Sequence, residues 1–265
     1  MAVDQLIGFP APLLGDAHHR LQVFYCDSEL IILEKPLDVI GERHPWYPQS
    51  PSLISGLYQQ LESDKPELQR FNVVHPQPVY NLEPEITGAI MIGLSKPSSS
   101  CYRNLFGSRQ IHFSFSLIAE HVDDLPDTVM CRLPVARHAN ASCAMISNRT
   151  GKQSETHFRL LERFGKFALW EAKTNYIRMH QIRLHAHEVG IPVLGELQYA
   201  KIAVPDLNRL QGSRNQANLK DKVLYSGICI HLARLEWEQN GIRHEVYIHP
   251  PKKWQVFCKQ LRNFG

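Results

Sequence analysis

The chain has 265 residues, 43% of them apolar, enough for one large domain with a sizeable core. Its 29 basic and 26 acidic residues leave a net charge of +3, which excludes a wholesale polyanion binder but leaves room for a local basic cleft. Six scattered cysteines (Cys26, Cys101, Cys131, Cys143, Cys229 and Cys258) form no CxxC pair. They read as buried or half-buried thiols of a reducing compartment, not as disulfides or a zinc site. The opening Met1-Ala-Val-Asp-Gln-Leu-Ile-Gly8 has an early acid and no basic stretch before an apolar run, so no signal peptide is expected. The best apolar run, Gly88-Ala-Ile-Met-Ile-Gly-Leu94, is far too short for a bilayer. The expectation is a soluble, cytoplasmic protein with no membrane partner.

Residues 1–20 are punctuated by proline and glycine and read as an arm lying on a single domain of 21–265. Residues 21–34 read as two strands around a Cys26-Asp27-Ser28 turn, with Lys35-Pro36 breaking the second. Residues 41–50 form a polar, proline-containing loop. Leu53, Ile54, Leu57, Tyr58 and Leu61 have helix spacing. Val73-Val74 and Val79-Tyr80 are short extended pieces around His75-Pro-Gln-Pro78. A buried strand over 87–94 precedes a helix over 96–106 that carries Pro97 in its first turn. Residues 109–119 alternate like a strand. Several strands follow over 129–173, with turns at 137–140 and 148–151. The stretch 199–221 is polar and reads as an exposed insertion. Gln239-Asn-Gly241 is a strong hairpin signal between strands over 227–236 and 242–249, and a last helix follows Pro250-Pro251. Strands outnumber helices and hairpins dominate. That predicts an α+β fold with a mixed, mostly antiparallel central sheet and flanking helices.

The most informative stretch is Tyr176-Ile-Arg-Met-His-Gln-Ile-Arg-Leu-His185, read as about three helical turns ending at Gly190. Arg178 and Arg183 lie five residues apart and can flank one cleft. Fixed cations near a helix start hold phosphates or pin a buried carboxylate. An acid that could be the partner is Glu83, on a tight loop at a strand mouth in Tyr80-Asn-Leu-Glu-Pro-Glu-Ile-Thr-Gly88. Glu85 reads as a solvated loop acid. A metal reading of His180, His185 and His187 fails, because His180 and His187 are about 10 Å apart along a helix. Thr156, Phe158, Trp170 and Trp237 read as core.

From about residue 22 to 255 the chain resembles the RluA family of RNA pseudouridine synthases. The resemblance rests on collinear segments: Leu30-Ile-Ile-Leu-Glu-Lys-Pro36, Phe106-Gly-Ser-Arg-Gln-Ile111, Gly151-Lys-Gln-Ser-Glu-Thr-His-Phe158, Arg178-Met-His-Gln-Ile-Arg183, Gly195-Glu-Leu-Gln-Tyr199 and Ile230-His-Leu-Ala233. It implies a sheet crossed by an RNA cleft and an isomerisation that detaches uracil and rejoins it through carbon, with no cofactor. It also implies a catalytic acid paired with a helix-borne arginine, and an aromatic side chain under the base. Carried onto this chain, the catalytic positions are Glu83, Arg183 and Phe115. The RNA-contacting candidates are Asn81, Arg109, Lys152, Lys173, Arg178, His180 and Gln181. The implied partner is a structured RNA, an rRNA or tRNA stem-loop, bound by a monomer without the S4-type module of many members.

The departures are specific. Tyr80-Asn-Leu-Glu83 stands where the family has His-Arg-Leu-Asp, so the acid gains a methylene and Asn81 replaces an arginine. Phe113 and Phe115 stand for a lysine and a tyrosine. A shift of roughly 1 Å can cost on the order of 100-fold in rate. Two functions therefore compete: a synthase using Glu83, and a catalytically degenerate RNA-binding or ribosome-assembly factor.

Overall fold

A computed structural model describes residues 5–206 and 225–264. The expected insertion over 199–221 falls largely outside them. The strands are β1 (Gln5–Phe9), β2 (His19–Cys26), β3 (Leu30–Lys35), β4 (Gln77–Pro78), β5 (Thr87–Gly93), β6 (Ile111–Glu120), β7 (Thr128–Cys131), β8 (Val135–Arg137), β9 (Ala144–Ile146), β10 (Thr156–Phe164), β11 (Phe167–Thr174), β12 (Ile230–Gln239) and β13 (Ile242–Tyr247). The helices among the described residues are α1 (Leu53–Glu62), α2 (Pro66–Arg70), α3 (Lys96–Gly107), α4 (Gln181–Glu188) and α5 (Lys252–Phe264).

The main sheet runs β1-β2-β3-β5-β12-β6-β11-β10-β7, with β13 on β12 and β4 on β5. Every pairing is antiparallel except one. At the centre β5 and β12 run parallel through His231↔Thr87 and Leu232↔Gly88. Two antiparallel halves thus meet at a short parallel seam, and the loop carrying Glu83 enters the sheet there. Gly88 makes the seam possible. Its φ is +129°, and a Cβ would lie within 2.5 Å of the Leu232 amide nitrogen. Only glycine fits both the dihedral and the gap.

Local chemistry sets the flanking elements. Ser52 caps α1 by accepting from the Ser55 amide, and Ser95 with Ser98 forms a reciprocal cap on α3. Asn240 and Gly241, with φ of 54° and 74°, make the two-residue turn of the β12–β13 hairpin. One core cluster joins β5, β6, β11 and β12 through Phe113, Phe115, Trp170 and Trp237. A second seats α1 and α2 on β1–β3, and a third seats Trp254, Phe257 and Leu261 of α5 on the β10–β11 end.

Four sequence expectations change. Residues 5–9 of the expected arm are an edge strand on β2 with Ile7 and Phe9 fully buried. Gln77–Pro78, read as the spacer between two extended pieces, itself pairs with β5, where Pro78 needs no amide at an edge, and the Val79 amide carries the pairing on to the Met91 carbonyl. Cys26 and Cys101 are exposed. The helix after β11 starts only at Gln181, since His180 takes a left-handed φ of 61° that α-helix geometry forbids. Arg178 therefore lies before the helix.

The seam predicts its own weak point. Gly88→Ala should lower stability by about 3 kcal/mol or more, from strain plus a backbone clash. Urea unfolding of the purified variant, monitored by tryptophan fluorescence, measures it; an unchanged midpoint would refute this account of the seam.

Candidate active site

Three segments converge beside the seam: residues 80–86 ahead of β5, the start of α4, and the turn 195–199. The loop ahead of β5 is pinned from below. The Tyr80 hydroxyl donates to the Ala89 carbonyl at 2.9 Å, and its ring packs edge-on against Phe113. Leu82 is fully buried. Glu83, 2% exposed, is consequently held in the interior. Its Oε1 accepts the backbone N–H of His180. Burial pushes its pKa above the usual carboxylate value; the Arg183 charge and backbone N–H groups, His180's among them, pull the other way.

The left-handed turn at His180 presents its amide to Glu83. The turn is braced by Gln181, whose Oε1 accepts from the Arg178 amide at 3.1 Å. The Gln181 amide group donates to the Glu155 carbonyl, Thr156 and Thr174. The His180 ring is fixed at both nitrogens, with Nδ1 2.7 Å from the Tyr199 hydroxyl and Nε2 2.5 Å from the Tyr47 hydroxyl. Burial, then Arg183 and His44, depress its pKa to about 2, so the imidazole is neutral. Arg183 Nη1 lies 3.3 Å from Nε2, and the Tyr199 hydroxyl donates to the Ala144 carbonyl.

Arg183 makes its strongest contacts with an acid that sequence reasoning had not assigned. Nε donates to Glu196 Oε2 at 2.6 Å and Nη2 to Oε1 at 3.2 Å, a bidentate pair between side chains 3% and 1% exposed. Nη2 also donates to Gln198. Glu196 accepts in addition from the amides of Gln198 and Tyr199. The remaining nitrogen, Nη1, lies 3.6 Å from Glu85 Oε1. The expected direct pairing of Arg183 with Glu83 is thus replaced by a through-space effect. The solvated-acid reading of Glu85 holds only in part: its side chain is 35% exposed, but it faces Arg183, takes a 3.4 Å hydrogen bond from Tyr47, and has its Oε2 buried without a partner.

Lys35 completes the cluster. It is fully buried, donates to the carbonyls of Pro36 and Val39, and burial lowers its pKa to about 7 against the pull of Glu83, Glu85 and Asp38. Sequence reasoning read it only as part of a strand-breaking pair. Tyr47, Tyr199 and Glu196 were likewise missed as site residues; the Gly195-Glu-Leu-Gln-Tyr199 pattern carried the signal for two of them.

The loop over 41–50 covers this cluster. Asn81 is the hinge pin: its Oδ1 accepts from the Glu42 amide and its Nδ2 donates to the Glu42 carbonyl. Trp46 packs on the His180 ring at 5.1 Å. The other candidates are dispersed. Phe115 is 1% exposed and sits in the core of β6 opposite Ala172 and Leu232, so no face of it is open. His180 and Gln181 are equally buried and committed to protein partners. Arg178 is half-buried, donates to Ser154 at 3.0 Å and lies over the Tyr176 ring. Lys152 is exposed beside the β8–β9 hairpin, and Lys173 pairs with Glu171. Arg109 lies past the end of α3, on a different recess with Cys101 and Glu238. Among the described residues no group of three or more His, Cys, Asp or Glu could hold a metal, and no helix is long and apolar enough to cross a membrane.

No family model matches the chain. Curated relatives do. It is 24% identical over 189 residues to the uncharacterized RNA pseudouridine synthase YlyB of Bacillus subtilis (strain 168), covering 71% of this chain and 60% of that protein. It is 26% identical over 188 residues to ribosomal large subunit pseudouridine synthase D of Haemophilus influenzae, covering 71% and 55%. The chain thus spans less than two thirds of the length of these two relatives. Among solved structures, human RNA pseudouridylate synthase domain containing 4 superposes with a TM-score of 0.69 at 17% identity, over 91% of this chain and 92% of that one. Human RNA pseudouridylate synthase domain containing 1 gives 0.60 at 18%, over 87% and 84%. The fold is that of the pseudouridine synthases.

Two outcomes follow from the buried charges. A carboxyl whose folded-state pKa is raised binds its proton more tightly folded than unfolded, so it subtracts stability as pH climbs from the ordinary Glu value to the raised one. Glu83→Gln keeps an acceptor for the His180 amide and removes that cost. Its melting temperature should equal the wild type's near pH 4, exceed it increasingly as pH climbs past the ordinary Glu value, and level off above the raised one; a constant difference from pH 4 upward would contradict the assignment. Arg183→Met strands Glu196 and Glu85 and should cost about 3–5 kcal/mol in denaturant unfolding at pH 7.

Proposed function

We propose that this chain, a relative of the RluA-type RNA pseudouridine synthases, isomerises uridine to pseudouridine in a structured RNA, an rRNA or tRNA stem-loop, with Glu83 as the acting carboxylate. The observation that supports this best is the placement of Glu83: an acid at the mouth of a central strand, on the parallel seam, under an oriented amide and within the field of a fixed guanidinium. In this reading Glu83, when ionised, attacks the sugar or the pyrimidine ring of a uridine flipped out of its helix. The C1′–N1 bond breaks with its electron pair leaving on the base, the base turns, C5 bonds to C1′ as the Glu83 carboxylate is released from the atom it attacked, and the C5 proton passes through that freed carboxylate to N1. The His180 N–H and the Arg183 charge stabilise the anion. The loop over 41–50 must lift for uridine to enter, which breaks the contacts of Tyr47 with His180 and Glu85.

A second reading is favoured by one observation. Glu83 is sealed, and the arginine expected to serve it is bound to Glu196. A protein in that state grips RNA without chemistry.

Pseudouridine maps of rRNA and tRNA from cells with and without the gene separate the two. The synthase reading expects a site lost in the deletion strain, restored by the wild-type gene and not by Glu83→Gln. A lost site restored equally by Glu83→Gln would remove Glu83 as nucleophile; no lost site would favour the binder. With a substrate in hand, kcat/KM should rise with pH through a value above the ordinary Glu range, because only the ionised form of a carboxyl with a raised pKa attacks. A pH-independent rate from 5 to 8 would contradict it.

A further inference from the structure

A separate cavity of about 320 Å³ lies next to the acid cluster. Its walls include His44 and Trp46 of the covering loop, Arg137 of β8, and Tyr176 and Arg178 ahead of α4. Glu83, Glu85, Arg183 and Tyr47 do not line it. Its volume is at the small end of ligand cavities, suited to one nucleotide and not to a duplex.

Two independent features point to an occupant. The first is a stack. Phe106 lies 4.3 Å from Tyr176 with the rings 17° from parallel, and the Arg178 guanidinium lies 4.6 Å from the same Tyr176 ring. Both cannot share one face, so Tyr176 is sandwiched and Arg178 forms the outer tile. Its bond to Ser154 and its contact with the Gln153 carbonyl hold it in place. A guanidinium plane fixed in this way is a surface on which an unpaired base stacks. The second is an orphan. Trp46 is nine-tenths buried, and its indole N–H has no partner. Buried donors are almost always paired; this one is closed off while the loop over 41–50 is down, and a base carbonyl would satisfy it as that loop shifts. Arg137, 6.0 Å over the Trp46 ring, adds a second cation at the rim for the attached phosphate.

We propose that this cavity is a subsite for a single unpaired nucleobase bearing a carbonyl, belonging to the nucleotide beside the one that reaches Glu83. Trp46 packs on His180, and the His180 amide holds Glu83, so the two sites are separated by two side chains. Filling the cavity engages the same loop that covers the acid. The inference rests on the RNA-binding half of the function proposed above and is independent of catalysis.

The test uses a hairpin RNA with a seven-uridine loop and a set of copies in which one loop nucleotide at a time is abasic. Binding is read by fluorescence anisotropy at fixed salt. The subsite expects one abasic position to weaken wild-type binding by about tenfold. Arg178→Lys keeps the charge and removes the plane, so it should lose about tenfold on the intact loop and nothing further at that abasic position. Trp46→Phe should behave likewise. Equal losses by Arg178→Lys on intact and abasic loops would show a phosphate contact only and overturn the subsite. So would a wild type indifferent to every abasic position, or one that binds no hairpin. Pseudouridine formation, measured separately in the same samples, reports on Glu83 alone, so loss of the catalytic reading leaves the binding comparison intact.

Discussion

The geometry of the site depends on the buried fork between Arg183 and Glu196. A guanidinium and a carboxylate meeting through two hydrogen bonds in a dry interior fix both position and angle. Arg183 belongs to the first turn of α4, and Glu196 to a turn whose backbone is forced by Gly195, where φ is +83° and a Cβ would strike the Gly227 carbonyl. The pair therefore locks a helix to a turn that no side chain at 195 could make. From it the rest follows in short steps. Glu196 also collects the amides of Gln198 and Tyr199, which sets the Tyr199 hydroxyl against His180. His180, held at both nitrogens, keeps the left-handed turn that delivers its amide to Glu83. Such a pair adds little net stability over an apolar substitute, but losing one partner is costly. Its role is to position.

Charge distribution inside the cluster explains the raised pKa of Glu83. Lys35 and Arg183 face Glu83, Glu85 and Glu196. Glu196 has the guanidinium at contact distance, and Glu85 has the free edge of the same guanidinium. Glu83 has backbone N–H groups and distant charge only. Burial outweighs that compensation, and its pKa rises accordingly. His180 lies too deep, and too close to Arg183, to share the work as a proton acceptor near neutrality.

Much of the fold was legible because it is written in local chemistry. The Asn240-Gly241 turn, the Pro97 helix start, the buried run into β5 and the alternation of β6 each follow from dihedral preference or burial period. The parallel pairing of β5 with β12 was not legible, since it joins residues 144 apart and has no local signature. The site was legible in parts. Glu83 and Arg183 are brought to one cluster, but their direct partnership was read from the resemblance, and the structure gives Arg183 to Glu196 and Glu85 instead. The left-handed residue at His180 hid the true helix start, because periodicity continues through 176–185 while the backbone does not. Asn81, read as an RNA contact, is a loop tether, a role visible only once Glu42 is placed beside it.

The altered positions make sense together. A lysine and a tyrosine on β6 would need hydrogen-bond partners; Phe113 and Phe115, both sealed in the core, need none. The longer side chain of Glu83 reaches the His180 amide, a fixed donor that survives desolvation. Glu85 then takes the arginine edge left free. The Glu83 carboxylate is thus met by a backbone dipole, the His180 N–H, held in place by Arg183 and Glu196, while Asn81 ties down the loop that covers it.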